Sequence, residues 1–189
     1  MNENKLYIKN MVCDRCILVV KSVLAKLNIE PLSVELGEIT LKTELSKDTK
    51  NKLIESLRLL GFDTIKDKKE RLIEDVKSLI IELVHHNNSQ LKENLSDYIS
   101  NKIHCDYNYT SNLFSDIEGT TIEHYFIAQK IERVKELLVY DELTLSEIAF
   151  QLNYSSVAYL SNQFKRVTGL TPSHFKSKKE NNRTPLDKV

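Results

Sequence analysis

The chain reads as an α+β protein: a small βαββαβ domain followed by an all-α domain in which one helix-turn-helix unit occurs twice, joined by a long helix. Three observations predict this. Before residue 67, short apolar/polar alternations and two helical periodicities follow one another in the order strand, helix, strand, strand, helix, strand. Beyond it, the apolar spacings are three and four. Residues 143–175 also repeat a stretch found about 50 positions earlier.

The first domain, residues 4–67, is justified element by element. Residues 5–9 (KLYIK) alternate and predict a strand. Residues 10–16 form a loop opening into a helix whose apolar positions are Val19, Val20, Val23, Leu24 and Leu27. Residues 32–36 and 39–43, joined across Gly37-Glu38, predict a hairpin. Ser46 caps a second helix running to Leu60, with Leu53, Ile54, Leu57 and Leu60 inward, and Gly61 ends it before a strand over 62–65. This order is the ferredoxin-like one. Residues 66–71 (KDKKER) read as a solvated junction, and 72–84 as amphipathic, with Val76, Leu79, Ile80 and Leu83 on one side of a connecting helix over 68–86. His85-His86-Asn87-Asn88 breaks that helix, with the histidines read as cations at its C-terminus rather than as ligands shared with the cysteines.

The all-α domain spans 87–180, with units at about 95–118 and 144–168 and a frayed tail over 181–189. In the second unit Thr144 or Ser146 caps a helix that buries Ile148, Ala149 and Leu152. Asn153 enters the left-handed region cheaply, so the chain turns there and restarts at Ser155 or Ser156. The following helix buries Leu160 and Phe164 and turns Val157, Ala158, Ser161 and Asn162 outward. Ser111, Asn112, Phe114, Gly119, Thr121 and His124 recur as Ser161, Asn162, Phe164, Gly169, Thr171 and His174, a constant offset of 50. Phe114 and Phe164 read as core, as do Tyr125 and Phe175, and Cys105 as a buried small hydrophobe. Between the copies, residues 122–140 carry no Gly or Pro and predict a helix roughly 30 Å long. One turn of B-DNA is about 34 Å, so such a spacer could set two reading helices into successive major-groove segments.

Residues 131–138 (IERVKELL) and the phrase built on Phe164-Lys165, Gly169 and Thr171-Pro172-Ser173-His174-Phe175 resemble the DNA-binding domain of AraC/XylS-family transcriptional regulators, over about residues 72–178. MxCxxC in the first loop, with Leu60-Gly61-Phe62, resembles the heavy-metal-associated domain of copper chaperones and metal-transport ATPases over about residues 6–67. Asn10 stands where that motif usually begins with Gly.

The first resemblance implies a sequence-specific transcriptional regulator acting on double-stranded DNA, with RNA polymerase as a candidate partner and the oligomeric state open. It implies base-facing Val157, Ala158, Ser161 and Asn162 in the second unit, and Asn108, Ser111 and Asn112 in the first. Lys165, Arg166, Lys176 and the backbone near Ser173 are the phosphate candidates. The formal net charge is zero, which counts against a nucleic-acid binder, but residues 157–183 hold six basic residues (Lys165, Arg166, Lys176, Lys178, Lys179, Arg183) and one acid. Residues 106–118 hold three acids and no base. Thr110 replaces Leu160, His104 takes the place of Asn153, and Asp116 that of Arg166, so the second unit is expected to anchor binding.

No cofactor is required. Cys13 and Cys16 leave three readings: a site for Cu(I) or another soft ion, a dithiol redox sensor, or a loop serving only the fold or a partner surface. Helix-dipole stabilisation predicts lowered thiol pKa values. All five histidines lie outside the first domain, which disfavours a self-contained zinc site. No HExxH, paired-carboxylate, Walker or Rossmann pattern occurs, and an enzyme is not expected. No run of 18 apolar residues or signal peptide appears, giving a cytoplasmic expectation without membrane association. The alternative is a metal-handling protein whose helical half has lost DNA binding.

Overall fold

The computed structural model describes residues 4–65, 67–87, 91, 93–177, 184, 186 and 189. It divides into two units, Met1–Ser78 and Leu79–Val189.

The first unit runs β1 (Asn4–Lys9), α1 (Asp14–Lys26), β2 (Pro31–Glu35), β3 (Glu38–Leu41), α2 (Lys47–Arg58) and β4 (Asp63–Ile65), then enters α3 (Lys68–Ile81). The strands form one sheet in the order β2-β3-β1-β4 with every neighbouring pair antiparallel. Strand alternation decides what each face meets. Leu6 and Ile8 of β1 join Val20, Leu24, Ile39, Leu53 and Leu57 in the core. The alternate residues meet α3: the Arg71 guanidinium lies 3.8 Å from the centre of the Tyr7 ring, and Lys9 pairs with Glu74 at 3.6 Å. Arg71 also reaches Glu38 on β3. The charge run expected to be a solvated junction is exposed over residues 67–70, as expected, but from Lys68 onward it is the first turn of a helix, and Arg71 is held to the sheet; Lys66 lies outside the described residues.

One inward assignment is corrected, and one apolar position faces outward. Leu60 is 52% exposed, because α2 ends at Arg58 and the chain turns through Gly61, at φ +87, to bury Phe62 instead. Val19 is exposed, since the buried stripe of α1 is Val20, Val23 and Leu24.

In the second unit, the end of α3 passes into a π-helical turn over Glu82–His86. There follow α4 (Leu95–Ile103), α5 (Tyr107–Glu118), α6 (Ile122–Tyr140), α7 (Leu145–Gln151), α8 (Val157–Thr168) and α9 (Pro172–Ser177). The long spacer helix has the predicted bounds. Asn94, Asp106, Thr121, Thr144 and Ser156 each accept, through a side-chain oxygen, the backbone N–H three residues on, so α4 to α8 all start on a capped N-terminus. His104 (φ 56) and Asn153 (φ 54) make the turns of the two copies in the same left-handed conformation. Phe114 packs on Tyr125 at 5.6 Å between ring centres, and Phe164 on Phe175 at 5.5 Å. The repeat is thus one packing unit built twice.

His85 departs from its expected role as a helix-terminal cation. Its Nε2 lies 3.1 Å from Gln129 Oε1, and Gln129 Nε2 donates to the Tyr125 hydroxyl at 3.0 Å. Burial pushes the imidazole pKa below its ordinary 6.5. The unfolded chain then takes up a proton that folded His85 resists, so the stability His85 contributes is whole above about pH 6.5 and is lost as pH falls toward the lowered folded value. Thermal melts should show this loss as pH is lowered below about 6.5. His85→Gln should flatten it, and an unchanged pH dependence in that variant would assign the proton uptake to another group. Asn88, in the same predicted break, lies outside the described residues. The tail is also corrected in part: Thr184 N–H donates to Glu132 and the Leu186 carbonyl accepts from Gln129, tying both residues to α6.

Candidate nucleic-acid interface

The second unit is set by local chemistry at both ends of α7. Thr144 and Glu147 form a reciprocal capping box, with Thr144 N–H donating to the Glu147 carboxylate at 2.7 Å. Ile148 and Ala149 are buried and the chain reverses at Asn153. Ser156 then caps α8, whose Leu160, Gln163 and Phe164 face the core. At about 100° per residue, the exposed side chains Ala158, Tyr159, Asn162, Lys165 and Arg166 fall within one arc of about 120°. Val157 and Ser161 are half-buried at its edge, and Val157 packs on the core, so these two assignments shift from the centre of the face to its rim. Tyr159 belongs to the face and escaped the sequence reading. Its counterpart Tyr109, at the same offset of 50, is the signal that could have found it.

In the first unit Asn108, Tyr109, Asn112 and Asp116 are exposed on α5 and Ser111 is half-buried. Thr110 fills the site of Leu160 without leaving its hydroxyl unpaired, because Oγ1 donates to the Asp106 carbonyl at 2.8 Å. The expected packing defect there is a satisfied polar substitution. Cys105, beside the turn, is half-buried.

Charge divides the two faces. Lys165 and Arg166 are exposed in the last turn of α8 and form no ion pair among the described residues. Lys176 is ion-paired with Asp141, which offsets the charge it was expected to offer a phosphate. Ser173 is exposed in the first turn of α9. Lys178, Lys179 and Arg183 lie outside the described residues. The imidazoles of His124 and His174 are exposed rather than packed, while their backbone N–H groups donate to Thr121 and Thr171.

The turn of the second unit is locked from below. Lys130 on α6 is buried, its Nζ 3.8 Å from the Tyr154 ring centre, and burial pushes its pKa down to about 8. The Tyr154 hydroxyl donates to Gln163 on α8 at 2.8 Å, and its ring lies 6.1 Å from that of Tyr159. One aromatic side chain therefore links spacer helix, turn and outward face.

In the first unit of the chain, Cys13 is the N-cap residue of α1 and its sulfur lies 3.7 Å from that of Cys16. Both are free and half-buried. Burial raises the Cys16 pKa, outweighing the backbone N–H groups that lower it, so the lowering expected from the helix start is not realised there. Asn10, at φ 70, adopts the left-handed conformation that glycine would supply, and its side chain donates to the Gly61 carbonyl at 2.9 Å. Among the described residues, no cluster of three or more His, Cys, Asp or Glu could hold a metal ion.

Residues 99–178, from within α4 to just beyond α9, match the helix-turn-helix domain family. The match takes in both copies of the repeated turn and helix. Over 69 residues the chain is 30% identical to an uncharacterized HTH-type transcriptional regulator of Staphylococcus aureus (strain MSSA476), a match covering 36% of this chain and 9% of that protein. The regulator of strain MRSA252 matches equally. The matched segment thus spans about 9% of the length of these curated relatives. In fold, the chain is similar to the C-terminal domain of AraT, a response regulator from Geobacillus stearothermophilus, with a TM-score of 0.51, 21% identity, and coverage of 63% of this chain and 95% of that one. Both α5 and α8 lie inside the span that matches the helix-turn-helix domain family. Among the described residues no helix is long and apolar enough to cross a membrane.

Proposed function

We propose that the protein is a sequence-specific, DNA-binding transcriptional regulator whose second helix-turn-helix unit anchors the duplex. The observation that carries this reading is the exposed arc of α8, where neutral hydrogen-bonding side chains and the cations Lys165 and Arg166 share one face inside the span that matches the helix-turn-helix family. Asn162 suits the N6 and N7 edge of adenine, Ala158 and the rim residue Val157 suit thymine methyls, and Lys165 and Arg166 suit phosphates. Ser161 and Ser173, with Asn108, Ser111 and Asn112 of the first unit, add neutral donors and acceptors. Lys176 contributes only where DNA displaces Asp141. The experiment is a gel-shift of the full chain on DNA from its own upstream region, in which a saturable shift resistant to nonspecific competitor supports the reading and none overturns it. Transcription in vitro from the same fragment tests the contact with RNA polymerase.

The reading extends to the N-terminal domain. The βαββαβ order and the sheet order β2-β3-β1-β4 support a ferredoxin-like arrangement, and MxCxxC at the start of α1 supports a heavy-metal-associated type of domain. The donor set of Cys13 and Cys16 is two soft sulfurs with no third His, Cys, Asp or Glu grouped with them among the described residues, which suits Cu(I) and not the four ligands zinc prefers. These two residues would hold the ion, which would supply charge and a link between the loop and α1. Anaerobic titration of the full chain with Cu(I) should show binding tighter than about micromolar that is lost in Cys13→Ser. Weaker binding removes the metal from the reading and leaves DNA binding untouched. Cu(I) binding without any DNA shift identifies the metal-handling alternative.

A further inference from the structure

We propose that Tyr109 and Tyr159 are a matched pair of phosphate contacts, one on each reading helix, that hold DNA through a neutral hydroxyl rather than through charge. The inference rests on the DNA-binding reading above. The two tyrosines occupy the same offset of 50 as the rest of the repeat. Each is the third residue after its N-cap, with its backbone N–H donated to the cap side chain, Asp106 at 2.9 Å and Ser156 at 3.1 Å. Their exposures, 50% and 53%, are nearly equal.

Neither ring is needed to fill a core. Thr110 with Phe114, and Leu160 with Phe164, already do so in the two copies. The same offset puts Ser115 and Asp116 where the second copy has Lys165 and Arg166, so the cations of the α8 face are not kept on α5. A half-exposed aromatic ring is kept, and that points to a task common to the two helices rather than to packing. A phosphate is the group both helices would meet wherever each reads. The tyrosine hydroxyl donates one hydrogen bond to a phosphate oxygen and adds no positive charge. That property matters on α5, which offers DNA no cation and carries Asp116 on its exposed side. Neutral donors are what such a helix has available. On α8, the Tyr154 ring beside Tyr159 limits the directions that side chain can take, so its hydroxyl is partly oriented before DNA arrives.

The test uses the full chain and the variants Tyr109→Phe, Tyr159→Phe and the double variant. Binding is measured by fluorescence anisotropy over a salt series, on a duplex from the upstream region and on an unrelated duplex. Phenylalanine keeps the ring and its packing and removes only the hydroxyl. Each single change is expected to weaken binding by about tenfold on both duplexes, as for a hydrogen bond to a charged group, and the double change to multiply the losses. The slope of affinity against salt should stay at the wild-type value, since no cation has been removed. Wild-type affinity in the double variant overturns the proposal. A loss confined to the upstream duplex overturns the phosphate assignment and makes the tyrosines base contacts. Failure of the wild-type chain to bind either duplex overturns the DNA-binding reading itself, a result distinct from both.

Discussion

Phe164→Ala is expected to destabilise the second helix-turn-helix by about 3–5 kcal/mol. The ring is fully buried, stands edge-on to Phe175, and joins Ile148, Leu152 and Leu160 in the cluster that fastens α7, α8 and α9 to α6. Its removal takes away the transfer energy of a whole aromatic side chain and leaves a cavity among Ile148, Leu152, Leu160 and Phe175. Domains are stable by only about 5–15 kcal/mol, so this one change removes a large share. Urea unfolding followed by circular dichroism reads the effect directly. A loss under about 1 kcal/mol would mean that the cluster repacks and that Phe164 is not its keystone.

The second large effect concerns DNA. Replacing both Lys165 and Arg166 by Ala should weaken binding to every sequence and lower the salt slope by about 1.8, at about 0.9 for each phosphate-contacting cation. The two residues are exposed, adjacent on the α8 face and free of ion pairs among the described residues, so no described group of the folded chain competes for their charge. Asn112→Ala, on the acidic first unit, should act on preferred sites alone and cost less, in the range of about 1 kcal/mol. If Asn112→Ala proves the more damaging change at physiological salt, the ranking of the two units is reversed.

What could be read from the sequence was whatever depends on neighbours three or four residues away. The bounds of α6 follow from an unbroken helical pattern without Gly or Pro, and the succession of strands and helices before it follows from changes of period. The core placement of Phe114, Tyr125, Phe164 and Phe175 followed from the repeat, and the fold adds that they pack as two ring pairs. Most of the misreadings share one cause, which is competition from residues far along the chain. Lys176 looked free until Asp141, 35 positions earlier, was seen beside it. Arg71 looked solvated because its partners, Tyr7 and Glu38, lie on the sheet. Leu60 lost its inward place to Phe62, since Gly61 decides which of the two the turn delivers to the core. The helical phase alone could have placed Tyr159 outward, but a tyrosine next to the buried Leu160 is easily assigned to the core.

The contact of Lys130 with Tyr154 has a consequence for kinetics. A reading helix that must be ordered on arrival spends part of its interaction energy on that ordering, and many of its encounters with a duplex end before it is ordered. Here the spacer helix, the turn and α8 are joined through one ring and one hydroxyl before any duplex is present. On the proposed DNA-binding reading, the second unit would dock as a rigid body, and differences in affinity among target sites should be expressed in how long the complex lasts rather than in how fast it forms.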